Sequence, residues 1–208
     1  MVAALRLDQL AFPTAAGPLR LSVEVAADEL VGVVAGAEAG RALCRVLAGL
    51  ARPVSGRIEV HGEDVTDEPP VRRHVGYLPA GGGLLPHLTV GRNIEYGLHR
   101  RESVHKVTSD WVDKVTDALE LRHMGGLRPH QLSEAQRWRV GLARVAAWLP
   151  EVLVVDQPDP AGGVDLLREL LPLVVPDGAA GPATLVCSAD PEVLATLSRK
   201  VEPERVDR

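Results

Sequence analysis

The sequence predicts an α/β fold, a parallel sheet flanked by helices with an inserted helical segment. Two observations predict it. Val152 to Val155 and Ala183 to Cys187 are short apolar runs of the kind that form strands covered on both faces, the mark of a parallel sheet. Segments of helical period alternate with the strands, and that order lays helices against both faces. Ligands of such sheets lie beyond the carboxyl ends of the strands.

In chain order, Leu21 to Val25, Glu29 to Val34, Ile58 to Val60 and Val75 to Leu78 are apolar runs between turns and read as strands. Arg41 to Leu50 carries Leu43, Val46, Leu47 and Leu50 at helical spacing and stops at the breaker stretch ARPVSG. The middle of the chain is helical, with Thr89 to Leu98 and then Ser109 to Leu121, which Thr108 or Ser109 can cap and Gly125 and Gly126 can end. Ser133 is placed to cap a long helix that runs to about Leu149, after which the strand Val152 to Val155 ends in Asp156. A helix from Val164 to Leu171, a surface loop from Pro176 to Pro182 and the strand Ala183 to Cys187 follow.

The chain has 208 residues, 46% of them hydrophobic, enough for a sizeable core and against disorder. It reads as one domain, residues 1–208, with a core of about 1–79 and 143–208 and a helical subdomain of about 80–142. A net charge of −5 and an aromatic content of 3% argue against a nucleic-acid partner, which needs a basic field or a stacking platform. No apolar run reaches membrane-spanning length and MVAALRLDQL lacks a signal-peptide core, so a cytoplasmic location is expected. Cys44 and Cys187 lie in apolar segments and read as buried packing residues. The seven histidines show no metal-ligand spacing. Arg137, Arg139 and Arg144 read as a solvated helix face, and Trp111, Trp138 and Trp148 as packing anchors. Only three of the 23 basic residues are Lys, a bias that lets an Arg stand at a Lys position by drift.

After the strand ending at Val34 comes AGAEAGRALCRVLAGLARPVSGRIEVHGEDV. Its layout of strand, small-residue loop, helix and second strand resembles the P-loop segment of ABC transporter ATPases. The family pattern is G-x-x-G-x-G-K followed by Ser or Thr, and the equivalent positions here are Ala35, Glu38, Gly40, Arg41 and Ala42. Later segments resemble the same family in order. VGYLPAGGGLLPHLTVGRNIEYGL is similar to the Q-loop segment with Ala80 at the Gln position, and HQLSEAQRWRVGLARVAA to the LSGGQ signature, keeping Leu132, Ser133 and Gln136 but with Glu134 and Ala135 for the paired glycines. EVLVVDQPDPAG resembles the Walker B strand, with Asp156 as the metal-side carboxylate and Gln157 at the general-base position. LVCSADPEVLA is similar to the switch segment, with Ala189 for His.

The resemblance spans about Leu5 to Val201 and implies a P-loop NTPase (RecA-like) core with antiparallel β strands near the N-terminus and an inserted helical subdomain. It implies a nucleotide site made from Phe12, Gly36, Gly40, Arg41, Ala42, Leu43, Ser133 and Gln136, with Asp156 as a vestigial Mg²⁺ carboxylate. Phe12 fits core packing as well as adenine stacking, and Asp156 fits a strand-end cap as well as a metal site. At the catalytic positions stand Gln157, Ala189 and Ala80. An amide takes no proton from water and a methyl ligates no metal. ATP and Mg²⁺ are therefore expected to bind weakly or not at all. The implied function is that of a degenerate ATP-binding subunit, a pseudo-ATPase partner of an ABC permease at the inner face of the membrane or of a competent ATPase subunit. A homodimer and a divergent but working importer ATPase subunit stay open.

Overall fold

A computed structural model describes residues 3–96, 98, 109–158, 163–175 and 178–206. Two sheets form the frame. The first is built from β1 (Leu5–Phe12), β2 (Leu19–Val25), β4 (Ser55–Val60) and the short β5 (Glu63–Asp64) and β10 (Glu204–Arg205), in the order β10-β2-β1-β4-β5. Its pairings are antiparallel, with a register shift after Leu7 where Gln9 takes a φ of 49°. The second holds β3 (Leu30–Val34), β6 (Val75–Leu78), β7 (Val152–Asp156), β8 (Ala183–Ser188) and β9 (Arg199–Val201) in the order β6-β7-β8-β3-β9, parallel throughout.

The continuous apolar runs follow from burial on both faces. Val152 and Val154 of β7 and Leu185 and Cys187 of β8 face the core shared with the first sheet and with α1 (Ala37–Leu47). Leu153, Val155 and Val186 face a second core, with α2 (Val90–Glu95), α3 (Ser109–Ala118), α4 (Glu134–Ala146), α5 (Gly163–Leu170) and α6 (Pro191–Ala195). The helices α2 to α4 lie in the chain between β6 and β7, as the helical insert predicts.

Local chemistry sets the ends. Ser133 and Gln136 form a capping box at α4: the Ser133 hydroxyl accepts from the Gln136 amide at 3.2 Å and the Gln136 Oε1 from the Ser133 amide at 2.9 Å. Thr89 caps α2, which stops at Glu95 rather than Leu98 because Tyr96 leaves the helical region with ψ 121°. At α3, Ser109 is the first helical residue and Thr108 lies outside the described residues. After α5 a 3-10 turn covers Leu171–Val174, and of the loop from Pro176 to Pro182 residues 176 and 177 lie outside the description.

The largest departure from expectation is in α1. The spacing placed it at Arg41 to Leu50, whereas it runs from Ala37 to Leu47. It starts early because Ala37, Glu38 and Ala39 are good helix formers where glycines would hold the chain open. It ends early because Gly49 takes φ +74° and closes a two-bond cap, Leu50 N–H to Arg45 O at 2.8 Å and Gly49 N–H to Val46 O at 3.1 Å.

Candidate functional site

The carboxyl ends of β6, β7, β8 and β3 carry Ala80, Asp156 with Gln157, Ala189, and the Ala35 to Ala42 segment to one edge of the parallel sheet. Only Ala35 and Gly36 separate β3 from α1. Gly36 is the N-cap residue, and the Gly40 amide already donates to the Gly36 carbonyl at 2.8 Å. The stretch that would wrap a phosphate as a loop is thus the first turn of a helix.

Asp156 is the centre of the group, 1% exposed. Its Oδ2 accepts from the Tyr77 hydroxyl at 3.2 Å and lies 3.5 Å from Arg41 Nε, while Oδ1 has no hydrogen-bond partner among the described residues. Burial raises the Asp156 carboxyl above the ordinary range, further than the Tyr77 hydroxyl and Arg41 lower it. Burial and the Asp156 charge push the Tyr77 hydroxyl up in turn.

Beneath α1, Cys44 and Cys187 lie 3.6 Å apart, both buried and unlinked. Gln157 sits in a left-handed conformation, φ 50°, its amide N–H on the Cys187 carbonyl at 3.0 Å and its side-chain Nε2 on the Ala35 carbonyl at 3.4 Å. Gly40 is what lets these elements close: a Cβ there would stand 3.0 Å from the Cys187 Cβ and 3.8 Å from Asp156 Oδ1. On the outer side of α1 a shallow hollow is lined by Pro13, Ala37, Glu38, Arg41, Ala42, Arg45 and Ala51. The Glu38 carboxylate accepts from the Ala15 amide at 3.0 Å, drawing the turn after β1 onto the helix start.

Gly36, Gly40, Arg41, Ala42, Asp156 and Gln157 are therefore brought together, with Ala80 and Ala189 exposed along the same strand-end edge. Other residues are placed differently. Phe12, expected as either platform or core, is fully buried on β1, so its ring is core packing and shows no face to a nucleotide. The Leu43 side chain is likewise fully buried, because it lies on the face of α1 turned toward the sheets. Ser133 and Gln136 bond each other at the start of α4, and among the described residues no hydrogen bond links them to the Asp156 group. Sequence reasoning missed Tyr77; the signal was a hydroxyl in an otherwise apolar strand paired directly with β7.

Comparison with known proteins agrees with this architecture. The dimeric ATP-binding cassette MJ0796, in a post-hydrolysis state with ADP and Pi, superposes with a TM-score of 0.75 at 20% identity, over 98% of this chain and 97% of that one. The cbiO1 protein from Clostridium perfringens, part of the ABC transporter complex cbiONQ, gives 0.74 at 19% identity, over 98% and 86%. The fold is that of an ATP-binding cassette. The ABC transporter family model matches residues 19–159, and the chain belongs to that family.

Among curated relatives, the probable sulfate/thiosulfate import ATP-binding protein CysA of Chlorella vulgaris is 36% identical over 152 residues, 73% of this chain and 64% of that protein. The spermidine/putrescine import ATP-binding protein PotA of Pseudomonas fluorescens (strain Pf0-1) is 32% identical over 183 residues, 87% of this chain and 51% of that one. The chain thus spans 64% and 51% of the length of these two relatives. Among the described residues no helix is long and apolar enough to cross a membrane.

Proposed function

We propose that this chain is an ABC-type ATP-binding subunit that has given up hydrolysis and acts as a regulatory or structural partner of an ABC permease or of a competent ATPase subunit. It would work in the cytoplasm at the inner face of the membrane, with a core of about residues 1–79 and 143–208 and a helical subdomain of about 80–142. The observation that carries the reading is the two-residue connection between β3 and α1. A P-loop wraps its phosphates with backbone N–H groups turned inward from an open loop ahead of the helix. Here the Gly40 amide is committed to the Gly36 carbonyl.

The neighbouring side chains support the same conclusion. Glu38 puts a carboxylate in the first turn of α1, where the helix dipole would otherwise favour a bound anion. Ala42 has no hydroxyl to ligate Mg²⁺, and Gln157 spends its amide on the Ala35 carbonyl. Ala189 and Ala80 bring no polar side chain to the strand-end edge. At the start of α4, Glu134 adds a carboxylate beside Ser133, whose hydroxyl is taken by the cap. The residues present do not fit Mg²⁺·ATP. In an ABC dimer each site pairs one subunit's P-loop with the other's signature, so a subunit of this kind beside an intact one would impair both, which favours a regulatory or scaffold role over an ordinary transporter half.

A second reading keeps the chain as a working importer ATPase subunit, and its support is the 32–36% identity to import ATP-binding proteins. Calorimetry of ATP into the purified chain, with and without Mg²⁺, separates the two. The proposal expects no Mg²⁺-strengthened binding into the millimolar range; binding tightened by Mg²⁺, with turnover beside a permease, establishes the second reading instead.

A further inference from the structure

We infer that Arg41 is the resident cation of this site, its guanidinium holding the Asp156 carboxylate where a divalent metal would otherwise stand. The inference rests on the proposed loss of hydrolysis and extends it to the site's ionic requirement: the site is metal-independent. A carboxylate that is 1% exposed needs a counter-charge, and Arg41, 3.5 Å from Oδ2, supplies one. Guanidinium suits the place because it keeps its charge at every working pH and is weakly hydrated, so little is lost in bringing it against a buried carboxylate.

With Arg41 in place, the surroundings of Asp156 leave a metal little beyond Oδ1, which has no hydrogen-bond partner among the described residues. Mg²⁺ takes six oxygen ligands, of which the protein commonly supplies one or two carboxylates and phosphates and water the rest. Around Asp156 stand the Tyr77 hydroxyl, which points its proton at Oδ2, the Cys44 and Cys187 thiols, the bare Cα of Gly40 and the Gln157 Nε2. Among the described residues no group of three or more His, Cys, Asp or Glu could hold a metal ion. A divalent ion at Oδ1 or Oδ2 would also stand within a few ångströms of the guanidinium, and that repulsion is unscreened on the buried side.

The test uses Mn²⁺ alone as probe, titrated into the full chain and followed by the paramagnetic resonance of the free ion. Wild type is expected to leave Mn²⁺ free into the millimolar range. Arg41→Ala, and Arg41→Gln, which keeps the bulk of the stem, are expected to take up Mn²⁺ about tenfold more tightly or better, since a positive neighbour has been removed. Adding Asp156→Asn to either should abolish the uptake. Wild type binding Mn²⁺ as tightly as the variants overturns the inference, and so does a variant with wild-type circular dichroism that binds none. Wild-type binding alone decides the case against it if neither variant folds. Mg²⁺-dependent ATP turnover is the separate readout of the functional proposal: a wild type that binds Mn²⁺ without hydrolysing ATP sinks only the Arg41 inference.

Discussion

Glu38 accepts a hydrogen bond of 3.0 Å from the amide of Ala15, so the first turn of α1 fastens the turn that follows β1. One carboxylate therefore serves two ends, an orphan loop amide and the positive end of the helix. Glu38→Ala is expected to cost about 0.3–1 kcal/mol, the usual worth of an exposed charge at a helix N-terminus. That corresponds to a fall in melting temperature of roughly 1–4 °C. Hydrogen exchange is the sharper readout: the Ala15 amide should exchange faster in the variant while the β1 amides keep their protection. Unchanged exchange at Ala15 would show that the loop is held by something else.

Arg73 is a structural counterpart at the other end of α1. It is 4% exposed and donates to the Val46 carbonyl at 2.8 Å and the Leu47 carbonyl at 3.5 Å, and also to the Glu68 and Thr66 carbonyls at 2.7 and 2.5 Å. The cation faces the negative end of the helix and joins it to the loop before β6. Arg73→Ala takes a charged donor from four carbonyls, of which Val46 keeps the Gly49 amide, and is expected to destabilise the fold by about 3 kcal/mol, with the urea midpoint shifted and the slope unchanged. Arg73→Lys should recover little of this, because an ammonium on a flexible stem cannot span the same four acceptors. A loss below about 1 kcal/mol for Arg73→Ala would mean that water replaces the guanidinium.

Most of the frame was legible in the sequence because its physics is local: the two-sided burial of β7 and β8 writes apolar runs, and Ser133 with Gln136 writes a capping box. The start of α1 escaped the periodic signal because Leu43, Val46 and Leu47 mark only the buried face, and the first turn of Ala37, Glu38 and Ala39 carries no large apolar residue. Phe12 could not be assigned from sequence, since an aromatic at a strand end reads the same whether it turns in or out, and only packing against both sheets and α1 decides. Contacts between distant segments, such as Tyr77 with Asp156 or Glu38 with Ala15, leave no periodic trace at all. The short edge strands β5, β9 and β10 are two or three residues long, below the length at which alternation can be seen.

The two sheets are tied at one edge by Arg199 of β9, which donates to the Glu24 carbonyl of β2 at 2.9 Å and pairs with Glu29 at 2.8 Å. Burial alone would raise the Glu29 carboxyl, but the Ala26 amide and Arg199 together hold it below its ordinary value of 4.5. A carboxyl depressed in the folded state binds its proton less tightly there than in the unfolded chain. Its contribution is full above about pH 4.5 and fades as pH falls through the lower folded value. Glu29→Gln should therefore cost about 0.5–1 kcal/mol at pH 7, a figure discounted for the partial exposure of the pair. The gap to wild type should narrow below pH 4.5. Equilibrium unfolding at several pH values measures this; a gap independent of pH would assign the cost to packing rather than charge.

The cysteine pair offers a probe of whether α1 ever lifts from β8. Cys44 and Cys187 are the two cysteines of the chain, both wholly buried, with sulfurs 3.6 Å apart. The contact with Cys187 and then burial push the Cys44 thiol well above its ordinary value, so little thiolate exists at neutral pH. An aromatic disulfide reagent is expected to titrate neither thiol quickly in the native protein and both in concentrated denaturant. Fast reaction at either would show that the helix opens on the timescale of the assay. Substitution separates packing from polarity at the same place. Cys44→Ala removes a small sulfur and should cost about 1–2 kcal/mol, whereas Cys44→Ser keeps the size but buries a hydroxyl against apolar neighbours and should cost at least as much. Should Cys44→Ser prove the more stable, the hydroxyl has found a buried acceptor, and Asp156 Oδ1, which lacks a partner among the described residues, is the first place to look.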